Sequence, residues 1–204
     1  VLPAYSVWAR NWHEEQIRRL AQSFPVKDGG KIKLLIVDAQ NDICHPKAVF
    51  NNSVTASGVT RTSRAIQRAA ERIAAVLHEA RAYRIPVCFI QSVYGQGQFG
   101  NVEQKWLNED DPAFINPDTG ASDSQWRIKI YADMQEPGDA VIRKDTEYAF
   151  RYKGVNNGLD QWLEGAEFVV VAGFTTDHCI KNAVYALLRR GYEPVVLKDC
   201  VAAP

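Results

Sequence analysis

The sequence predicts a doubly wound α/β domain of three layers, with helices covering both faces of a mainly parallel central sheet. Two observations carry this. Short apolar runs rich in β-branched residues recur along the chain, and segments with helical spacing of apolar residues fall between them. The runs are apolar at successive positions, the pattern of strands buried on both faces.

The runs are Ile32 to Val37, Ile85 to Gln91, Ala140 to Arg143, Glu167 to Ala172 and Pro194 to Leu197. Between the first two, Ile66, Ala69, Ala70, Ile73, Val76, Leu77 and Ala80 recur at helical spacing. Arg64, Arg68, Glu71 and Arg81 take mainly other faces, so this helix lays an apolar side on the sheet. After the fourth run, Ile180, Val184, Leu187 and Leu188 repeat the pattern, and Gly191 supplies a helix stop. Strands alternating with helices in this way are joined by right-handed crossovers.

The rhythm breaks between Ser92 and about Trp126 (residues 92–127), where Gly95, Gly97, Gly100, Pro112 and Pro117 interrupt a stretch too long for an ordinary connection. It reads as an elaborated loop or lid. Residues 1–30, with Trp8, Trp12 and Ile17, read as an arm or helix packed on the body or on a second subunit. The 204 residues are expected to form a single domain, large enough to bury its core without disulfides or metals.

Lys plus Arg and Asp plus Glu number 24 each, which leaves no electrostatic footprint for nucleic acid or an anionic membrane. The expected partner is a small molecule or a protein. The four cysteines, Cys44, Cys88, Cys179 and Cys200, form no C-x-x-C pair and no dense staple, so they read as free thiols in a reducing compartment. There is no apolar stretch of transmembrane length and no apolar signal-peptide core, and the expected location is cytoplasmic.

In open α/β sheets, ligands bind outside the carboxyl ends of the strands. Asp38 directly follows the first run, Lys144 follows the third, and Cys179 lies at the start of the helix after the fourth. All three should face one crevice. A helix N-terminus and a nearby ammonium favour a thiolate, so Cys179 suits the role of nucleophile with a lowered pKa. Asp38 can take the thiol proton, deliver it to a departing amine and then activate water. Lys144 would hold the carboxylate and stabilise the thiolate. Cys88 and Cys200, in and after strands, read as structural.

Asp38-Ala39-Gln40-Asn41-Asp42, Lys144 and Gly173-Phe174-Thr175-Thr176-Asp177-His178-Cys179 resemble, in order and spacing, the motifs of the isochorismatase-like cysteine hydrolases. The resemblance runs from about Lys31 to Ala203. That family includes nicotinamidases, N-carbamoylsarcosine amidases, ureidoacrylate and biuret hydrolases, and isochorismatases. The resemblance implies an Asp38-Lys144-Cys179 triad. It also implies a cis peptide between Phe174 and Thr175 that aims the Thr175 and Cys179 N–H groups into an oxyanion hole. A homo-oligomer, dimeric or tetrameric, is a further implication.

Nicotinamidases of the family bind a divalent ion through an Asp-x-His element, which this chain lacks. His45 and His78 are the only histidines between Asp38 and Lys144, and His78 belongs to the amphipathic helix. No metal and no cofactor are expected. Isochorismatases cleave an enol ether without needing the cysteine, so its presence here points to C–N cleavage of a small linear amide or ureido group. An ether hydrolase and a non-catalytic, redox-responsive member of the fold are the alternatives.

Gln91, Tyr94, Trp126, Glu147, Phe150, Arg151 and Phe174 flank the expected crevice as candidate substrate contacts. Arg151 could clamp a carboxylate and Glu147 could accept urea-like N–H groups, or either could be a surface charge. Arg143 reads as a surface charge and His178 as an exposed helix-face residue. Cys44 and His45 either line the pocket or simply pack.

Overall fold

Side chains alternate across a strand, so each apolar run supplies both faces of a buried sheet. The structure, a computed structural model, describes residues 31–48, 61–94, 107, 109 and 114–203. The arm proposed for residues 1–30, and the glycine-rich part of the stretch from Ser92 to Trp126, lie outside them.

The first run is β1, Ile32–Val37, followed by a short helix α1, Asn41–Cys44. The amphipathic segment is α2, Arg61–Ala82, and leads to β2, Val87–Ser92. Then come α3, Gln125–Ile128, and β3, Ala140–Lys144. A two-stranded ribbon, β4 Arg151–Tyr152 and β5 Val155–Asn156, precedes helix α4, Leu159–Leu163. The last units are β6, Phe168–Phe174, helix α5, Lys181–Leu188, and β7, Glu193–Ala202.

The five long strands form one sheet in the order β3-β2-β1-β6-β7, and every neighbouring pair is parallel. β1 is central: Leu35 stands opposite Cys88 of β2 and Val171 of β6. The chain leaves β1 toward β2 on one side and returns to β6 on the other. The carboxyl end of β1 is therefore the switch point, where side chains from diverging connections can meet.

Alternation along β1 splits the core. Leu34 and Ile36 join Ile66, Ile73 and Leu77 of α2 on one face, and Leu35 and Val37 join Leu159, Leu163, Ala183 and Leu187 of α4 and α5 on the other. The predicted three layers and parallel sheet are present. β7 runs past its predicted end at Leu197, through the polar pair Lys198-Asp199, to Ala202. The ribbon is too short for periodicity to reveal; Lys153 and Gly154 turn it with φ of 50° and 78°, the pair of positive angles a two-residue hairpin needs. No helix among the described residues is long and apolar enough to cross a membrane.

Candidate active site

The strand ends determine what faces the crevice. Asp38 leaves β1 in the left-handed region, φ 56°, a conformation that Asp adopts more readily than most residues. Its N–H still bonds to Ile90 of β2, and its carbonyl accepts the Gln40 N–H, both at 2.9 Å, so the chain turns sharply within two residues. Gly173 makes room for this turn on the β6 side: a Cβ there would stand 1.9 Å from the Val37 carbonyl oxygen.

Lys144 ends β3 and Cys179 lies in the turn after β6. The structure brings Asp38, Lys144 and Cys179 together, all buried. Lys144 Nζ lies 2.9 Å from Asp38 Oδ2 and donates to Cys179 Sγ at 3.2 Å. The same ammonium reaches the Thr146 carbonyl at 3.1 Å and the Tyr94 hydroxyl at 3.4 Å. Burial alone would lower the Lys144 pKa. Asp38, Cys179 and Tyr94 outweigh it and hold the ammonium well above its usual range.

Cys179 departs from the expected lowered pKa. Burial is the largest influence and raises it, the Asp38 charge raises it further, and Lys144 pulls the other way without matching them. The thiol is pushed up to about 12. Cys179 itself sits in a short π turn, Thr176–Ile180, that runs directly into α5 at Lys181. At rest the site therefore holds a carboxylate, an ammonium and a neutral thiol, and Asp38 also hydrogen-bonds that thiol.

The Phe174–Thr175 peptide is cis, as the resemblance implies. In the turn that follows, the Thr175 carbonyl accepts the N–H groups of His178 at 3.3 Å and Ile180 at 3.0 Å, stepping over Cys179. Widened turns of this kind are frequent at functional sites.

The candidate substrate contacts divide. Tyr94 belongs to the triad's surroundings through Lys144. Phe150 shares an apolar cluster with Cys179 and carries the Arg190 guanidinium 3.7 Å above its ring. Gln91 is turned to the Ile128 carbonyl at 2.9 Å and to Arg143 at 3.1 Å. Glu147 accepts from Asn182 at 2.9 Å and faces His178 at 3.2 Å, so its carboxylate is tied to the helix side. Trp126 packs against Phe114 and the edge of His45, with ring centroids at 5.8 and 5.0 Å. Phe174 is wholly buried in the cluster under α2, and Arg151 stands on the exposed ribbon. Cys44 is also buried, and His45 sits between Trp126 and Tyr131.

Three groups escaped the sequence reading. The Ser92 hydroxyl donates to Asp38 Oδ1 at 2.8 Å and stands 3.3 Å from the Tyr94 hydroxyl. Gln40 bridges β2 to α3 through the Ser92 and Ile128 carbonyls and the Ser92 N–H. Asp42 takes Arg127 Nε at 2.8 Å in a fully buried ion pair and the Leu107 N–H at 2.7 Å, tying α1 to the long loop. Ser92 was findable by the rule that picked Asp38 and Lys144, since it is the polar residue next to Gln91 at a strand's carboxyl end. Among the described residues, no group of three or more His, Cys, Asp or Glu is placed to hold a metal ion.

The family model for the isochorismatase domain matches residues 33–204. No curated protein matches the chain. Among solved structures, it is similar to the N-carbamoylsarcosine amidase from Thermoplasma acidophilum, at 22% identity and a TM-score of 0.56 over 85% of each chain. An isochorismatase-like hydrolase from Alkaliphilus metalliredigens is similar at 19% identity and a TM-score of 0.61, covering 85% of this chain and 82% of the other. The nicotinamidase from Staphylococcus aureus is similar at 17% identity and a TM-score of 0.50, covering 85% and 83%. At these identities the likeness establishes the fold.

Proposed function

This chain belongs to the isochorismatase family, whose members are hydrolases, and on that premise we propose that it cleaves the C–N bond of a small linear amide or ureido compound through Cys179. One observation carries the reading: a carboxylate, an ammonium and a thiol from three different strand ends meet in a buried site, with Lys144 within 2.9 Å of Asp38 and 3.2 Å of Cys179. Two of the similar structures, an N-carbamoylsarcosine amidase and a nicotinamidase, act on such bonds by name.

The chemistry follows from the resting charges. A thiol held near pKa 12 is a poor nucleophile until its proton leaves, and Asp38 is the hydrogen-bonded acceptor. The Cys179 proton first passes to Asp38, and the resulting thiolate then bonds to the carbonyl carbon as the C=O π pair moves onto oxygen. The transfer leaves the total charge unchanged: the Asp38–Lys144 ion pair becomes a Lys144–sulfur pair in the same low-dielectric space. The N–H groups of Thr175 and Cys179 serve as donors to the oxyanion. Collapse of the tetrahedral species breaks the C–N bond, and Asp38 returns the proton to the departing nitrogen. Water, deprotonated by Asp38, then releases the acyl or carbamoyl group, and the sulfur regains its proton.

The test is ammonia release from a panel of small amides and ureido acids, compared between the parent, Cys179→Ala and Asp38→Asn. The parent should turn over at least one member of the panel, and both variants should lose that turnover. Parental turnover by Cys179→Ala would overturn the reading and point to a cysteine-independent hydrolase such as an enol ether hydrolase.

A further inference from the structure

The Asp38 carboxylate already accepts two strong hydrogen bonds, Ser92 Oγ on Oδ1 at 2.8 Å and Lys144 Nζ on Oδ2 at 2.9 Å. A carboxyl that takes up the thiol proton becomes a weaker acceptor and holds both donors less firmly. Lys144 is the wrong one to release, because its attraction to sulfur grows as the thiolate forms. Ser92 differs: its hydroxyl is uncharged, rotates freely about its C–O bond, and has the Tyr94 oxygen 3.3 Å away.

Tyr94 is suited to receive it. Its hydroxyl is also 3.4 Å from Lys144 Nζ, and burial, the largest influence, keeps the phenol protonated. The ammonium has four acceptors around it, the Asp38, Thr146, Cys179 and Tyr94 atoms, for three N–H groups. As Lys144 commits an N–H to the developing thiolate, the Tyr94 oxygen becomes available to Ser92. We propose that Ser92 is a positioning residue that switches its hydrogen bond from Asp38 to Tyr94 as Asp38 takes the Cys179 proton, and switches back as Asp38 gives it up. Ser92 keeps its own proton throughout, so the step adds no charge and needs no further reactant.

This inference rests on the reading that Asp38 deprotonates Cys179. The titratable groups facing Asp38 come from every neighbouring segment: Lys144 at the end of β3, Tyr94 beyond β2, Cys44 in α1 and Cys179 after β6. The experiment is the pH dependence of Cys179 carbamidomethylation by iodoacetamide, followed at its own peptide by mass spectrometry. It compares the parent, Ser92→Ala, Ser92→Thr, Tyr94→Phe, the Ser92→Ala/Tyr94→Phe double variant and Asp38→Asn. Ser92→Ala should move the acid limb of the profile to higher pH, and Ser92→Thr should restore it.

Tyr94→Phe should leave the acid limb in place and slow alkylation roughly threefold to tenfold, by removing the acceptor to which the hydroxyl turns. In the Ser92→Ala background the same change should cost nothing more. An unmoved acid limb in Ser92→Ala, or additive losses in the double variant, would overturn the switch alone. Parental alkylation by Asp38→Asn at every pH would remove the base itself, and the switch with it.

Discussion

Gly173 presses its backbone against Val37 so closely that a Cβ on Gly173 would stand 1.9 Å from the Val37 carbonyl oxygen. Val37 immediately precedes Asp38, and Gly173 lies six residues before Cys179. The contact therefore sets the spacing between the strand end that carries the base and the turn that carries the thiol. Gly173 also holds φ at 122°, which side chains rarely adopt.

Gly173→Ala should force β6 away from β1 at this end. The expected cost is more than about 2 kcal/mol in urea unfolding, together with loss of turnover in whatever fraction still folds. A variant of parental stability and activity would show that the contact positions nothing.

The Asp42–Arg127 pair makes a second structural prediction. Both side chains are essentially inaccessible, at 0% and 1% exposure. Arg127→Leu removes the guanidinium from a buried carboxylate, so it should cost about 3 to 5 kcal/mol, whereas replacing both partners by apolar residues of similar volume should cost much less. Urea unfolding of the single and double variants separates these outcomes.

The sequence made the five strands, the two long helices and the three converging side chains legible because each rests on a local pattern: an apolar run, a helical stripe, or a polar residue just past a strand. What stayed hidden depends on long-range pairing. Asp42 and Arg127 lie 85 positions apart in the chain, and nothing local tells a buried ion pair from two surface charges. The raised pKa of Cys179 was missed for a related reason: the sequence shows a thiol near a helix start, but depth of burial and the neighbouring carboxylate decide its ionisation. The contacts of the candidate crevice residues Glu147 and Trp126 are equally non-local, since Asn182 and His45 lie far from them in the chain.

The four thiols predict alkaline sensitivity. Burial raises the pKa of Cys44, Cys88, Cys179 and Cys200 above the ordinary value, with Cys179 and Cys200 at about 12. Above pH 9 the unfolded chain releases these protons while the folded chain retains them, so the unfolded state binds fewer protons and stability falls as pH rises. Each thiol should contribute a slope of about 1.4 kcal/mol per pH unit between pH 9 and its folded value. Urea midpoints at pH 8, 9, 10 and 11 check this, and Cys88→Ala should shallow the slope.

Lys144→Met tests the ion pair at the centre of the site. It leaves a buried carboxylate without the ammonium now 2.9 Å away, and removes the cation that faces the sulfur. Turnover should fall at least about a hundredfold, and unfolding should become easier by about 3 to 5 kcal/mol. Loss of stability with turnover intact would assign Lys144 to folding alone.

The most direct test of the central claim is mass spectrometry of the protein quenched during turnover of its best amide or ureido substrate. The expected result is a mass increase equal to the acyl or carbamoyl group, confined to the peptide containing Cys179 and absent from Cys179→Ala. Full turnover with Cys179 unmodified at every quench time, in a protein whose Cys179→Ala variant remains active, would contradict it.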